Sequence, residues 1–241
     1  MTRWWIAVAA ASVLWPNAVS AAERRYTLAN FDKVRIEGDV AVEITSDAAP
    51  RAIASGDSRA LEALTVEVQG GTLLIRRART NAPVERRARR TTPDALPLVR
   101  VGARSVQALT LRGHGSARLD RLVGAKPSAT VDGNGSAEIG AVKAEALAVT
   151  VTGSGSLKIA GDADTARTMM LGDGLFDAKG LKLSALDFTS EGPVRARMLV
   201  NGPARIVANG DAEISVRGKA ACTVRQTGNG RIDCGEGETP R

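Results

Sequence analysis

The sequence predicts an all-β protein, a parallel β-helix (solenoid) with coils of about twenty residues. Three observations indicate this fold. A Gly-x-Gly tripeptide recurs about every twenty residues through the second half of the chain. Apolar and polar residues alternate on both sides of these glycines, as in strands with one buried face. Aromatic residues make up only 3% of the chain, so the core must consist of small aliphatic side chains, which stack well in identical layers.

Residues 1–21 have the features of a cleaved export signal. Arg3 gives a positive start, Trp4 to Trp15 form an apolar run, and a small-residue cleavage site follows at residues 18–22. The apolar run is shorter than the roughly 20 residues that a bilayer-spanning helix needs. We therefore expect cleavage after Ala21, no transmembrane anchor, and export to the periplasm or cell surface of a bacterium.

Residues 22–97 are predicted to hold N-terminal strands and to cap or begin the solenoid. The stretches Phe31 to Ile36, Val40 to Ile44 and Leu73 to Ile75 alternate or run apolar, which favours strands. Residues 58–64 favour one short helix. Such a region suits the end of a repeat stack, which must shield its apolar interior from water.

The high isoelectric point comes from one segment, an Arg-rich loop at residues 76–90. It contains seven Arg and one Glu, a local charge of +6 within a chain of net charge +7. Clustered cations gain about 1 kcal/mol each near an anionic membrane surface. Four arginines are therefore candidate contacts with such a surface: Arg86, Arg87, Arg89 and Arg90. The alternative is a solvated loop without a ligand. Nucleic acid is not an expected partner, because the exported chain lacks aromatic stacking platforms.

The repeats are predicted over residues 98–235, followed by a tail at residues 236–241. Each repeat needs glycine where the chain bends sharply between two short strands. These turn glycines are Gly113, Gly115, Gly133, Gly135, Gly153, Gly155, Gly172, Gly174, Gly228 and Gly230. Between residues 174 and 228 the tripeptide decays, and Gly192, Gly202 and Gly218 are predicted to occupy equivalent turns.

The strands beside the turns are predicted to bury one face. Leu109 and Leu111 are expected to face the core, while Thr110 and Arg112 face solvent. A β-meander of hairpins would use similar turn residues. A fixed period, with a second and weaker set of turns in between, favours a solenoid coil that contains two or three short strands.

Cys222 and Cys234 are predicted to form a disulfide bond, because an exported protein meets an oxidising compartment. The closed loop is short, so the chain-entropy model gives roughly 2–3 kcal/mol of stabilisation. The alternative is a pair of buried, reduced thiols. A zinc site is not expected, since no histidine lies nearby and two ligands do not make one.

No catalytic residue, metal ligand or cofactor is predicted for this chain. The single histidine, His114, stands in the middle of a Gly-x-Gly turn, where other copies carry unrelated polar residues. The glycine pairs are not followed by helices, which excludes the usual phosphate-binding loop. Only the turn around Asp173, with Asp177, approaches a calcium-binding repeat, and it does so once.

The alternative function is an envelope polysaccharide-active enzyme, since β-helices also support such activities. Its site would need clustered carboxylates on one face. The candidates are Asp132, Asp173, Asp177 and Glu191. The scarcity of aromatic residues argues against a groove in which sugars stack.

These features resemble the putative auto-transporter adhesin, head GIN domain family of exported bacterial proteins. The resemblance covers residues 28–235. It rests on the opening strand pair, on the stretch from Ala63 to Ile75, and on the serial Gly-x-Gly-Ser turns at residues 113, 133 and 153. It implies a right-handed parallel β-helix and an exported, non-catalytic envelope module with an adhesion or structural role. The partner stays open among an envelope protein, a glycan and an anionic lipid surface.

Overall fold

The structure is a computed structural model that describes residues 22–78 and 96–235. The predicted export signal, residues 79–90 of the Arg-rich loop and the tail lie outside the described residues. The prediction that this loop begins at residue 76 is wrong, because Arg76 and Arg77 belong to a strand and Arg76 pairs with Glu37. The first part contains one helix and six strands: β1 (Ala22–Thr27), β2 (Lys33–Glu37), β3 (Ala41–Thr45), β4 (Arg51–Gly56), α1 (Ser58–Glu62), β5 (Leu64–Gln69) and β6 (Thr72–Arg77). The second part contains twelve strands: β7 (Leu98–Gly102), β8 (Ala108–Gly113), β9 (Ser116–Gly124), β10 (Ser128–Gly133), β11 (Ser136–Thr152), β12 (Ser156–Leu171), β13 (Leu175–Glu191), β14 (Arg195–Val200), β15 (Pro203–Asn209), β16 (Glu213–Arg217), β17 (Ala221–Thr227) and β18 (Arg231–Cys234).

Parallel pairing between successive coils confirms the predicted solenoid. Strand β10 lies between β8 and β11, with Thr130 opposite Thr110 on one side and Thr150 on the other. The long strands β11, β12 and β13 pair with one another in the same parallel manner. Equivalent residues on neighbouring coils therefore lie about 4.8 Å apart and form rows along the solenoid.

The core is a stack of aliphatic side chains. Leu109, Leu111, Ala117 and Leu119 are each no more than 3% exposed, which confirms the predicted alternation of buried and exposed residues. Each fully buried Val, Leu or Ile contributes roughly 1.5–3 kcal/mol through the hydrophobic effect. Identical layers thus stabilise one another without any large aromatic cluster.

The N-terminal strands begin the stack. Strands β2 and β3 pair in parallel with β8 and β9 and form the first coil. Strand β7 pairs with β3 and β4, so the stacked repeats start at β8 rather than at residue 98. Beyond β7, strands β4 and β1 extend the same wall in antiparallel order. The β5–β6 hairpin extends the wall that contains β2.

Helix α1 begins at the predicted residue and is shorter than predicted. The Asp57 side chain caps it by accepting a hydrogen bond from the Arg59 N–H. The helix ends at Glu62, because Leu64–Gln69 forms strand β5 and pairs with β6. Leu61 packs into the core cluster, so the helix shields part of the apolar interior at this end.

A column of glycines forms the sharp turn of every coil. Each has a φ between +90° and +113°, a backbone conformation that other residues rarely adopt. The column contains Gly38, Gly113, Gly133, Gly153, Gly172, Gly192, Gly210 and Gly228. From Gly113 onward, each glycine lies against the one in the preceding coil, and a Cβ on Gly153 would be 2.7 Å from the carbonyl oxygen of Gly133. The interpretation of Gly202 and Gly218 as equivalent turns is wrong, because they lie elsewhere in the coil, beside Ser184 and Val200.

The second glycine of the tripeptide packs closely against the preceding coil. A Cβ on Gly135 would lie 2.7 Å from the carbonyl oxygen of Gly115, and one on Gly155 would lie 2.7 Å from Val131 Cγ1. In two later coils this position is held by other buried residues, Val194 and Ala212. The Gly-x-Gly pattern is therefore lost in the sequence of these coils, while the column of first glycines continues.

A disulfide bond joins Cys222 and Cys234, as predicted. Cys222 lies on β17 and Cys234 on β18, and each strand pairs with a strand of the preceding coil. Both cysteines and Ile232 pack against the core at the C-terminal end. The bond therefore ties together two walls of the last described coil.

We expect Gly153→Val to lower the free energy of unfolding by about 3 kcal/mol, because the side chain would meet both an unfavourable φ and the Gly133 carbonyl. Ser154→Ala, in the same turn, should change it by less than about 0.5 kcal/mol. Urea unfolding followed by circular dichroism measures both. Equal stability of the two variants would contradict the role of the glycine column.

Candidate binding surface

The side chains between the paired glycines form an exposed row along one edge of the solenoid. His114 lies in this row and is 59% exposed. Its Nδ1 is 3.5 Å from the Asp39 carboxylate and its Nε2 is 3.4 Å from the amide nitrogen of Asn134. An aspartate and an amide beside an exposed imidazole do not form a nucleophile–base pair.

One wall carries a ladder of alternating charge. In register along the coils it contains Glu43, Arg118, Glu138, Lys158, Asp177 and Arg197. Arg118 donates to Glu138 Oε2 over 3.2 Å, and Lys158 Nζ donates to Glu138 Oε1 over 2.9 Å. Opposite charges on adjacent strands favour in-register pairing. The ladder thus supports the stack and leaves this wall close to neutral.

A shallow groove of about 320 Å³ runs beside the charge ladder. Its lining includes Ser116, Ser136 and Ser156, which are in register on successive coils. Because the neighbouring charges of Arg118 and Glu138 already pair with each other, this groove offers hydroxyl groups rather than free charge.

A larger groove of about 510 Å³ lies at another corner of the coils, and we call it the two-row groove. Its floor is formed by Gly124, Ala144, Ala163 and Leu183. One flanking row contains Lys143, Asp162 and Lys182, and the other contains Ala125, Glu145, Asp164, Ser184 and Asn201. Its volume falls within the range of roughly 300–1,000 Å³ typical of ligand sites.

A third surface, on the wall formed by β8 and β10, carries an uncharged stripe. Its outward residues in register are Thr110, Thr130, Thr150, Met169, Thr189 and Val207. Met169 is 46% exposed, so the stripe includes one large apolar side chain that faces water. The stripe is bounded by Arg35 at one end and Arg225 at the other. It provides a flat contact face without a titratable group.

The carboxylates considered for an enzyme site do not converge. Asp132 and Glu191 share an outward row but stand three coils apart, about 14 Å at the usual strand spacing. Asp173 lies in the turn row, and Asp177 lies on the charge ladder, 3.3 Å from Lys179 Nζ. In the described part of the chain, no three His, Cys, Asp or Glu side chains gather in an arrangement that could hold a metal ion.

The candidate lipid contacts Arg86, Arg87, Arg89 and Arg90 lie outside the described residues. Across residues 22–78 and 96–235, no helix has the length and apolar character needed to cross a membrane. Sequence reasoning missed both grooves and the uncharged stripe. The serines of the smaller groove and the threonines of the stripe recur at intervals of twenty residues, so a search for equivalent outward positions would have found them.

Glu138 gives the charge ladder a defined pH dependence. The hydrogen bond from Lys158, together with that from Arg118, lowers the pKa of Glu138 below the ordinary glutamate value. A lowered folded-state pKa means that the contribution to stability is present above the unfolded-state pKa and is lost as the pH falls through the folded-state value. Because the carboxylate side chain is 38% exposed, that contribution is under about 1 kcal/mol.

We therefore expect Glu138→Gln to lower the free energy of unfolding slightly at pH 7 and to have no such effect at an acidic pH below the lowered folded-state pKa of Glu138, where the wild-type carboxylate is protonated as well. Urea unfolding of both proteins at the two pH values measures the difference. Glu191→Gln, for which no ion pair is found among the described residues, is the control. A stability difference that does not change with pH would contradict the ion-pair explanation.

Comparison with known proteins places the chain in a family. No curated protein matches it. A putative adhesin from Bacteroides fragilis has a similar structure, with a TM-score of 0.77 and 17% identity over 90% of this chain and 97% of that one. A putative lipid binding protein from Parabacteroides distasonis gives a TM-score of 0.68 at 17% identity, over 89% of this chain and 96% of that one. A putative adhesin from Parabacteroides merdae gives 0.62 at 15% identity, again over 89% and 96%. These similarities show a shared fold.

The family model described as putative auto-transporter adhesin, head GIN domain, matches residues 30–220, so the chain belongs to that family.

Proposed function

We propose that this protein is an exported, non-catalytic binding module of the bacterial envelope, which presents the walls of its solenoid to a partner in the periplasm or at the cell surface. The observation that carries the proposal is that its polar groups stand in straight rows, one per coil. General acid–base and nucleophilic catalysis need groups within roughly 3 Å of one another and of the substrate. Equivalent groups that recur about every 4.8 Å along a row suit contact with an extended or repeating partner.

Membership of an adhesin-type family supports this proposal. So does the rigidity of the scaffold, because the outward rows of the inner coils rest on strands that pair on both sides with neighbouring coils. A surface that is ordered before binding loses little conformational entropy when the partner docks. A partner that docks on such a wall gains affinity from the contact area and from meeting the same chemical group repeatedly along the row.

We expect the labelled mature chain (residues 22–241) to bind saturably to envelope material isolated from a bacterium that encodes it, and to release no soluble sugar or peptide from it. His114→Ala and Ser154→Ala should bind like the wild type, because the turn row is not catalytic. Sedimentation with the envelope material measures binding, and mass spectrometry of the supernatant measures release. Time-dependent release that is lost in Asp177→Asn or His114→Ala would identify an enzyme instead.

Contact with anionic lipid is a second candidate, favoured by the +6 charge of residues 76–90. A protein of similar fold is described as a putative lipid binding protein, which agrees with this candidate. Seven arginines near an anionic surface provide several kcal/mol at low salt, and less as salt screens them.

We expect the mature chain to bind vesicles of phosphatidylglycerol and phosphatidylcholine, and to bind vesicles of phosphatidylcholine alone at least tenfold more weakly. Deleting residues 84–91 should remove most of this difference, because the deletion takes out four arginines. Vesicle co-sedimentation at two salt concentrations measures the effect. If the deletion leaves binding to the anionic vesicles unchanged, the Arg-rich loop is not the lipid contact.

A further inference from the structure

The two-row groove has the shape of a site for an extended ligand. Its lining spans five coils, from Gly124 to Asn201, about 19 Å at the usual strand spacing. Three floor residues, Gly124, Ala144 and Ala163, have no side chain beyond Cβ. A ligand can therefore lie close to the backbone along most of the groove.

The two rows that flank this floor differ in charge. Lys143, Asp162 and Lys182 form one row of net charge +1, with Lys182 Nζ 3.8 Å from Asp162 Oδ1. The other row carries Glu145 and Asp164, and neither forms an ion pair with a described residue. Outward side chains two positions apart on a strand start about 6.6 Å from each other, so one ligand can reach both rows.

The acidic row departs from the electrostatic pattern of the rest of the solenoid. Strand register places Glu145 and Asp164 next to each other on adjacent coils. Like charges in such positions are destabilising. On the charge ladder, by contrast, Glu138 lies between Arg118 and Lys158. The fold thus tolerates an uncompensated pair of carboxylates at the two-row groove, where a ligand can supply the compensating charge.

We infer that the two-row groove binds an extended zwitterionic peptide, with its ammonium groups toward Glu145 and Asp164 and its carboxylates toward Lys143 and Lys182. This inference rests on the proposed envelope-binding function and names the partner's chemistry. Short peptides of the bacterial cell wall that are not cross-linked carry free amines and free carboxylates, and an exported chain meets them there. Ser184 and Asn201 continue the acidic row with neutral hydrogen-bonding groups.

Other envelope polymers fit the groove less well. A neutral glycan would supply no opposite charge to Lys143, Lys182, Glu145 and Asp164. Among the described residues, no aromatic side chain lines the groove for a sugar to stack on. A polyanion would be repelled by Glu145 and Asp164. Only a ligand that carries both positive and negative charges is electrostatically complementary to both rows.

The test uses the labelled mature chain and purified peptidoglycan sacculi, with chitin as a neutral polymer that lacks peptides. The chain should bind sacculi and not chitin, and a soluble tetrapeptide of alanine, glutamate, diaminopimelate and alanine should compete. Glu145→Gln with Asp164→Asn should weaken binding to sacculi at least fivefold, as should Lys143→Gln with Lys182→Gln. The matched control, Glu191→Gln with Glu213→Gln, removes two carboxylates elsewhere and should stay within twofold of the wild type.

The outcomes separate the inference from the function on which it rests. Equal binding to chitin and sacculi, no competition by the tetrapeptide, or equal effects of the groove and control variants would overturn the inference and leave a binding module with another ligand. Cleavage of the sacculi would overturn the proposed function itself. Circular dichroism and urea unfolding of each variant establish that changes in binding are not changes in folding.

Discussion

The fold depends on one constraint, the close approach of backbone to backbone at the sharp turn of every coil. From Gly113 to Gly228, each turn lies on the turn before it, and the first glycine of each would place a Cβ against the backbone of its predecessor. Parallel strands at about 4.8 Å leave no room for the turn to move outward without breaking the ladder on both sides. Once the turns are in phase, the register of the strands beside them is fixed. The middle residue of the turn points to solvent, which explains why it can be His, Asn, Ser or Asp.

Fixed register turns each outward position into a row, and this governs the surface electrostatics. A row of charges of one sign would repel along its whole length, so the ladder through Glu43, Arg118, Glu138 and Lys158 alternates in sign.

The two end coils differ from the inner coils, because an end coil has a neighbouring coil on one side only. The N-terminal end is extended by antiparallel strands and shielded by helix α1. At the C-terminal end, the disulfide bond joins two strands of the last described coil and helps to hold them against the core.

Sequence reasoning predicts the features that repeat at a constant interval. The turns at Gly113, Gly133 and Gly153 are twenty residues apart, so both the coil and its buried face can be read directly. It misses Gly210, because the coils there shorten to eighteen residues and Ala212 replaces the second glycine. It also misses Gly38, since strands β4 to β7 separate this turn from the next member of the column.

The two-row groove could not be predicted, and the reason is physical. The row of net charge +1, which contains Lys143 and Lys182, follows directly after places where the strand register shifts. These shifts lie between Ile139 and Val142 in β11 and between Ala178 and Lys182 in β13. Such irregularities re-aim side chains and bend the strand, and they are over-represented beside functional sites. Sequence spacing alone does not locate them, because one residue more or less at a bend leaves the twenty-residue period almost unchanged. The groove thus arises where the solenoid departs from strict repetition, in backbone register and in charge alternation alike. These two departures coincide at one concave surface, which distinguishes the two-row groove from the charge ladder and from the uncharged stripe.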